Sequence, residues 1–255
     1  DALPISYSGE KYEGEWFQDQ QHGFGTFWFM NNNRYKGMWY RDYQQGHGVM
    51  YYYNGDIYDG NWQKDKRQGK GKYTFASGAY YDGNWNNDQK SGKGFFAWND
   101  GTTYDGMWLN NQRSGKGTNK YKNGDKYTGH FNEGDKDGMG TFLWKNGDMY
   151  VGMWKSDRQN GHGKLVKKNG DVFEGEFKDG KVNGQVIIHF SDGSKFKGMY
   201  KDGRRNGAAI EEYKDGKRFE GSYVNGQRDG NFVEKDNNGQ ILKRGHYENG
   251  KRFED

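Results

Sequence analysis

Residues 58–80 read Tyr58-Asp59-Gly60-Asn61-Trp62, then Gly69-Lys70-Gly71, then Tyr73-Thr74-Phe75 and a closing Ser77-Gly78. In an extended strand successive side chains point to opposite faces, so Tyr58, Gly60 and Trp62 share one face. Tyr73 and Phe75 repeat that alternation on a second strand. Asp65 tolerates the left-handed backbone that a tight turn between the two strands requires. The stretch therefore predicts a β-hairpin with aromatic rings on one face and polar side chains on the other.

The pattern returns every 23 residues without insertion, through ten units. Tyr12, Tyr35, Tyr58, Tyr81, Tyr104, Tyr127 and Tyr150 open the first seven units, and Phe173, Phe196 and Phe219 the last three. Two residues on is always glycine, from Gly14 to Gly221. Four on is Trp16, Trp39, Trp62, Trp85, Trp108 or Trp154, replaced in the other units by Phe131, Phe177, Tyr200 and Tyr223. Gly-x-Gly persists to Gly161/Gly163, and then only its first glycine remains, at Gly184, Gly207 and Gly230. Asn54-Gly55, Asn123-Gly124, Asn146-Gly147 and Asn169-Gly170 mark the loops between units, a strong hairpin signal.

Tyr-x-Gly-x-Trp, Gly-x-Gly and Asn-Gly-Asp at this period resemble the MORN (membrane occupation and recognition nexus) repeat over about residues 7–247. The resemblance and the alternation together imply an all-β fold: an elongated single-layer antiparallel β-ribbon of tandem 23-residue β-hairpin repeats. Residues 1–11 read as an N-terminal half-repeat cap, with Tyr7-Ser8-Gly9-Glu10 imitating the turn. Ten repeats fill 12–241. Residues 242–255 read as a second cap, with Gly245-His246-Tyr247 as its final strand. Val186, Ile187, Ile188 and Ile210, gained in the last units, read as a cap or a dimer surface.

Parity constrains the loop between units. If the strand ending at Phe75 pairs with the one starting at Tyr81, an odd-length loop with a bulge at Gly78 keeps the rings on one face. It also sets Trp85 opposite Gly71 and Gly83 opposite Tyr73, so that glycines serve as seats for rings.

Composition agrees with such a fold. Hydrophobic residues are only 31%, which raises disorder, but 18% are aromatic and the net charge is only +4. Each ring can bury roughly 150–250 Å², and a chain of small net charge does not expand by self-repulsion. With no cysteine there is no disulfide, thiolate nucleophile or cysteine zinc site, which points to a reducing, cytoplasmic compartment. No apolar run approaches the ~20 residues of a membrane span.

No catalytic motif emerges, and no metal or cofactor is expected. The six histidines lack metal-ligand spacing. Ser114-Gly115-Lys116-Gly117-Thr118 imitates a phosphate loop, but Gly-Lys-Gly recurs at 69–71 and 92–94 and belongs to the repeat. Asp59, Asp82, Asp105, Glu13, Glu174 and Glu220 fill one slot and read as a solvated row rather than an acid–base pair.

Two features exceed that background. The first is the aromatic face, with Tyr35, Trp39, Tyr58, Trp62, Tyr81, Trp85, Tyr104 and Trp108 as a groove for a helical or extended partner segment. Its plainer reading is rings packed on each other and on glycine. The second is a basic ladder of Arg67, Lys70, Lys90, Lys93, Arg113 and Lys116. Two strands per unit would stack these pairs about 10 Å apart along one edge, for an acidic partner or anionic lipid at about 1 kcal/mol per residue. Solvated turns are the plainer reading. Nucleic acid is not expected, because acids interleave with the bases.

The resemblance implies a non-enzymatic protein-interaction scaffold of the cytoskeleton, in a cilium or flagellum, with a radial-spoke-like axonemal or basal-body setting. The alternative it implies is a module binding phosphoinositide or anionic membrane, as the regulatory part of a larger lipid kinase or a membrane-junction protein. A homodimer through the C-terminal repeats is a third expectation.

Overall fold

The computed structural model describes residues 9–255, and every regular element among them is a β-strand. The chain forms two compact units. One runs to Lys122 and includes Phe131–Gly134; the other holds Asn123–His130 and Asp135–Asp255. Within each, strands pair antiparallel with their sequence neighbours. Tyr7 and Ser8 of the expected N-terminal turn lie outside the described residues.

The repeat is a hairpin for local reasons. The strand Ile57–Gln63 turns through two residues into Lys66–Thr74. Lys64 and Asp65 have φ of 48° and 65°, the mirror-image turn whose twist matches a right-handed hairpin. The ladder then bulges. Gly60 faces Gly71, but Trp62 faces Arg67, and Gly69 takes up the slack at φ 71°. That left-handed position explains why the first glycine of Gly-x-Gly survives in all ten units.

The odd loop between units is present, with a tighter register than expected. Tyr73 faces Tyr81, Gly71 faces Gly83 and Trp85 faces Gly69, not Gly83 on Tyr73 and Trp85 on Gly71. The turn decides this: Phe75 N–H donates to Ala79 O (2.9 Å), closing a loop of three residues that ends in Gly78 at φ 94°. A five-residue loop would have slid every pair by two positions and kept the same faces.

Both turns are stitched to the next unit. Asp42, Asp65, Asp88 and Asn111 accept the backbone N–H of Gln21, Gln44, Arg67 and Lys90 at 2.8–2.9 Å. On the other rim, Asp56 accepts Ala76 N–H and Asp148 accepts Lys168 N–H, at 2.8 and 2.9 Å. The Asp of Asn-Gly-Asp is therefore a clip between repeats as well as a turn residue.

Burial works to raise the Asp56 carboxyl, but donors from Tyr73, Ala76 and Asn54 outweigh it and hold its pKa below the usual carboxylate range. A depressed folded pKa means that this stability is present above the unfolded value and lost as pH falls through the folded one. The urea midpoint of the native chain should therefore drop on acidification below the ordinary carboxylate range. Asp56→Asn should cost about 1–2 kcal/mol near neutrality, and the two proteins should converge at low pH. A constant gap across the titration would contradict the clip.

In the last units the core changes character. Val186, Ile188, Phe196, Ala209, Phe219, Tyr223 and Phe232 form one buried cluster. Val186 and Ile188 are thus core rather than surface, whereas Ile187 and Ile210 point out of the opposite face and are exposed. Ile241–Glu248, which carries Gly245-His246-Tyr247, is followed by one more strand, Lys251–Glu254, so it does not end the chain.

Candidate binding site

The aromatic face is layered. Tyr81 lies edge-to-face between Trp85 of its own unit (5.2 Å, 88°) and Trp108 of the next (5.3 Å, 82°). Tyr35 and Tyr58 are held the same way by Trp39, Trp62 and Trp85. The Tyr81 ring crosses Gly83 and Gly94, where an added Cβ would fall on its ring and hydroxyl. Its hydroxyl donates to Asn84 O (2.8 Å), and the Trp85 indole donates to Gly71 O (3.0 Å). Burial pushes the Tyr104 hydroxyl up to about 12, so it stays a donor. The expectation that glycines seat rings holds, with the tyrosine as the seated ring.

Tyr35, Tyr58, Tyr81 and Tyr104 are 0% exposed, and Trp39, Trp62, Trp85 and Trp108 only 5–6%. All eight groove residues are therefore reached through a further layer or not at all. What solvent meets first is the second strand and the loop after it: Phe27, Phe29, Tyr52, Tyr73, Phe75 and Trp98 are half-buried, whereas Met50 and Phe96 are buried. One hollow of about 610 Å³ has Phe29 and Tyr52 as walls and Trp39 and Trp62 in its floor. Another, of about 320 Å³, is walled by Phe96 and Trp98 over Trp108. The alternation on the second strand was readable; its position above the Tyr and Trp layer was not.

The basic ladder does not lie along one edge. The three-residue spacing within each pair splits it between two faces. Arg67, Lys90 and Arg113 lie on the aromatic face: Arg67 is 4.5 Å from the Trp85 ring centroid, Lys90 4.7 Å from that of Trp108, and Arg113 5.0 Å from that of Phe131. Such contacts stabilise by roughly 0.5–2 kcal/mol when partly desolvated. Lys70 and Lys93 face Asn84 and Met107 on the other side. They and Lys116 are exposed. Residues three apart on one strand point to opposite faces, so the repeat pattern joined residues that the structure separates.

Among the described residues no group of three or more His, Asp or Glu is placed to hold a metal. His47 and His162 sit beside Asp59 and Glu176 on the exposed face. No helix is long and apolar enough to cross a membrane.

A model of the MORN repeat matches ten consecutive stretches: 12–34, 35–57, 58–80, 81–103, 104–126, 127–149, 150–172, 173–195, 196–218 and 219–239. The chain belongs to the MORN-repeat family. Each match begins at the Tyr or Phe seated over glycine and ends before the next one, so the MORN unit coincides with one hairpin plus its outgoing loop. No curated protein sequence matches this MORN chain. Among solved structures, it is similar to a mutant TCP10 domain of Danio rerio CPAP (15% identity, 87% of this chain and 99% of that one, TM-score 0.41). It is also similar to the SAS-4 TCP domain of Drosophila melanogaster, solved with a proline-rich motif of Ana2 (19% identity, 70% and 96%, TM-score 0.40). Likeness at these scores carries no inference about what the MORN chain binds.

Proposed function

We propose that this chain is a non-enzymatic protein-interaction scaffold that holds partner segments along the aromatic face of its N-terminal repeats. The observation that carries the reading is the hollow bounded by Phe29, Tyr52, Trp39 and Trp62: concave and open, with its rings bordered by Asp42, Asp65 and Arg67. Such a surface takes the apolar side of a helical or extended segment. In this reading Tyr35, Trp39, Tyr58, Trp62, Tyr81, Trp85, Tyr104 and Trp108 keep the floor rigid, and the second-strand rings make the contact. Membership of the MORN family supports a cytoskeletal setting, with a cilium or flagellum as the finer placement.

A photo-crosslinking phenylalanine analogue placed at Phe29 or Tyr52, in cells, should capture the same partner from both positions. The analogue at Met38, exposed on the opposite face, should not capture it. Equal capture from Met38 would remove the groove from the proposal, and fluorescent fusions absent from cilia or flagella would remove the finer placement.

A second reading rests on Lys70, Lys93 and Lys116, exposed in one repeat slot: contact with anionic lipid. Phosphatidylserine- or phosphoinositide-containing vesicles should then float the protein, and Lys→Gln at all three positions should abolish flotation. Unchanged flotation would end that reading. Pairing of two chains through the C-terminal repeats has support in exposed Ile187, Met199 and Ile210, which line a concavity of about 850 Å³ on the outer face. A monomeric mass in light scattering would end it.

A further inference from the structure

On the aromatic face, the residue four before the first Gly of each Gly-x-Gly is a turn residue that meets the preceding unit. Asp88 pairs with Arg67 (3.2 Å) and Asp157 with Lys136 (3.3 Å). Between those two pairs the acid is missing. The turn partner of Lys90 is Asn111, and that of Arg113 is Gly134. Two cations in adjacent units thus lie among aromatic rings where their neighbours in the array have a carboxylate. Lys90 stands over Tyr81, Phe96 and Trp108, and burial, then the charge of Arg67, depresses its pKa.

The fifth repeat departs from the pattern at the same place. The residue facing the seated tyrosine is Phe96 in the fourth repeat and Asn119 in the fifth. Replacing a ring by an amide leaves space, and the hollow of about 320 Å³ contains Lys90, Arg113 and Asn119 together. Asn119 is 0% exposed. Its Oδ1 accepts from Arg113 Nη1 (3.0 Å), which fixes the amide orientation, and its Nδ2 has no hydrogen-bond partner. A buried amide donor left unpaired costs roughly 1–3 kcal/mol, so this donor is a standing demand for an acceptor.

We infer that the Lys90–Arg113–Asn119 hollow is a receptor for one side-chain carboxylate of a partner protein segment, an Asp or Glu flanked by apolar residues. This rests on the scaffold reading above and names the chemistry of one contact within it. The carboxylate's two oxygens answer the Asn119 amide and the Lys90 ammonium, and its negative charge replaces the missing turn acid. The flanking apolar residues meet Phe96 and Trp98. A phosphate fits less well: Arg113 already spends Nη1 on Asn119 and Nη2 on Gly134 O (2.6 Å), and a doubly charged group loses more hydration in an aromatic hollow.

The test is a titration of the ¹⁵N-labelled full chain with acetyl-Leu-Glu-Leu-amide, its Gln analogue and its phosphoserine analogue, read at the Asn119 side-chain amide and the Trp108 indole. The Glu peptide should move both saturably, at least about tenfold more tightly than the Gln peptide. Lys90→Gln with Arg113→Gln should abolish the difference, whereas Lys70→Gln with Lys93→Gln, on the other face, should preserve it. Equal binding of Glu and Gln peptides, tighter binding of the phosphoserine peptide, or shifts away from Asn119 would each overturn the inference. The two proposals fail separately. An unmoved Asn119 beside successful capture at Phe29 and Tyr52 removes the receptor alone. A carboxylate-specific shift without that capture removes the groove alone.

Discussion

Gly94→Ala should unfold the fourth repeat, and Tyr81→Phe should partly restore it. The added methyl falls on the Tyr81 hydroxyl and ring. That ring is fully buried and clamped by Trp85 and Trp108, so it cannot swing away. Overpacking of this kind costs about 1–3 kcal/mol where neighbours can shift, and the upper end or beyond where they cannot. Removing the hydroxyl forfeits its bond to Asn84 O but clears the atom that collides first. The chain already contains the swap. In its ninth unit Phe196 stands where Tyr81 stands, and Ala209 faces Gly198 as Gly94 faces Gly83. In its eighth, Val186 faces Gly175. Urea denaturation of both single variants and the double variant should show the double variant more stable than Gly94→Ala alone. Additive losses would mean that the hydroxyl does not dictate the glycine.

Trp85→Ala with Trp108→Ala should melt the sheet around the third to fifth repeats, not merely clear a groove. Each indole is almost wholly buried, bonded through its N–H to Gly71 O or Gly94 O, and packed against two tyrosines. Removing a buried aromatic side chain costs about 3–5 kcal/mol. In a repeat array such a loss falls mainly on the altered units and their neighbours. Hydrogen exchange should therefore show lost protection over residues 58–122 with the C-terminal repeats still protected. By contrast, Tyr52→Ser with Trp98→Ser, which cuts into the walls, should weaken partner capture while leaving protection near native. Retained protection in the double Trp variant would return those rings to the role of ligand anchors.

The difference between those two variants shows where sequence reading stopped. Alternation placed Tyr81, Gly83 and Trp85 on one face, and the 23-residue period stacked them. It could not rank two layers of rings lying on that same face. Depth follows from which ring is clamped and which is left at the rim, and that depends on pairing between units. The ladder failed for a related reason. Arg67 and Lys70 are three residues apart, which places them on opposite faces of a strand, and the even register shift at Gly69 leaves that parity unchanged. Asn119 left a trace: an amide where other repeats have Phe27, Phe96 or Phe142. Only coordinates show that its Nδ2 is buried without a partner beside two cations that lack an acid.

What the sequence determined by itself was the unit: hairpin, turn types, glycine seats and family, because each arises from contacts within about thirty residues repeated ten times over. Tertiary structure alone decided the register across the Ser77-Gly78 loop, the clips from Asp56 and Asp88, and the layer that meets solvent. Those depend on how one hairpin lies against the next, and a two-residue slide leaves the pattern of faces unchanged.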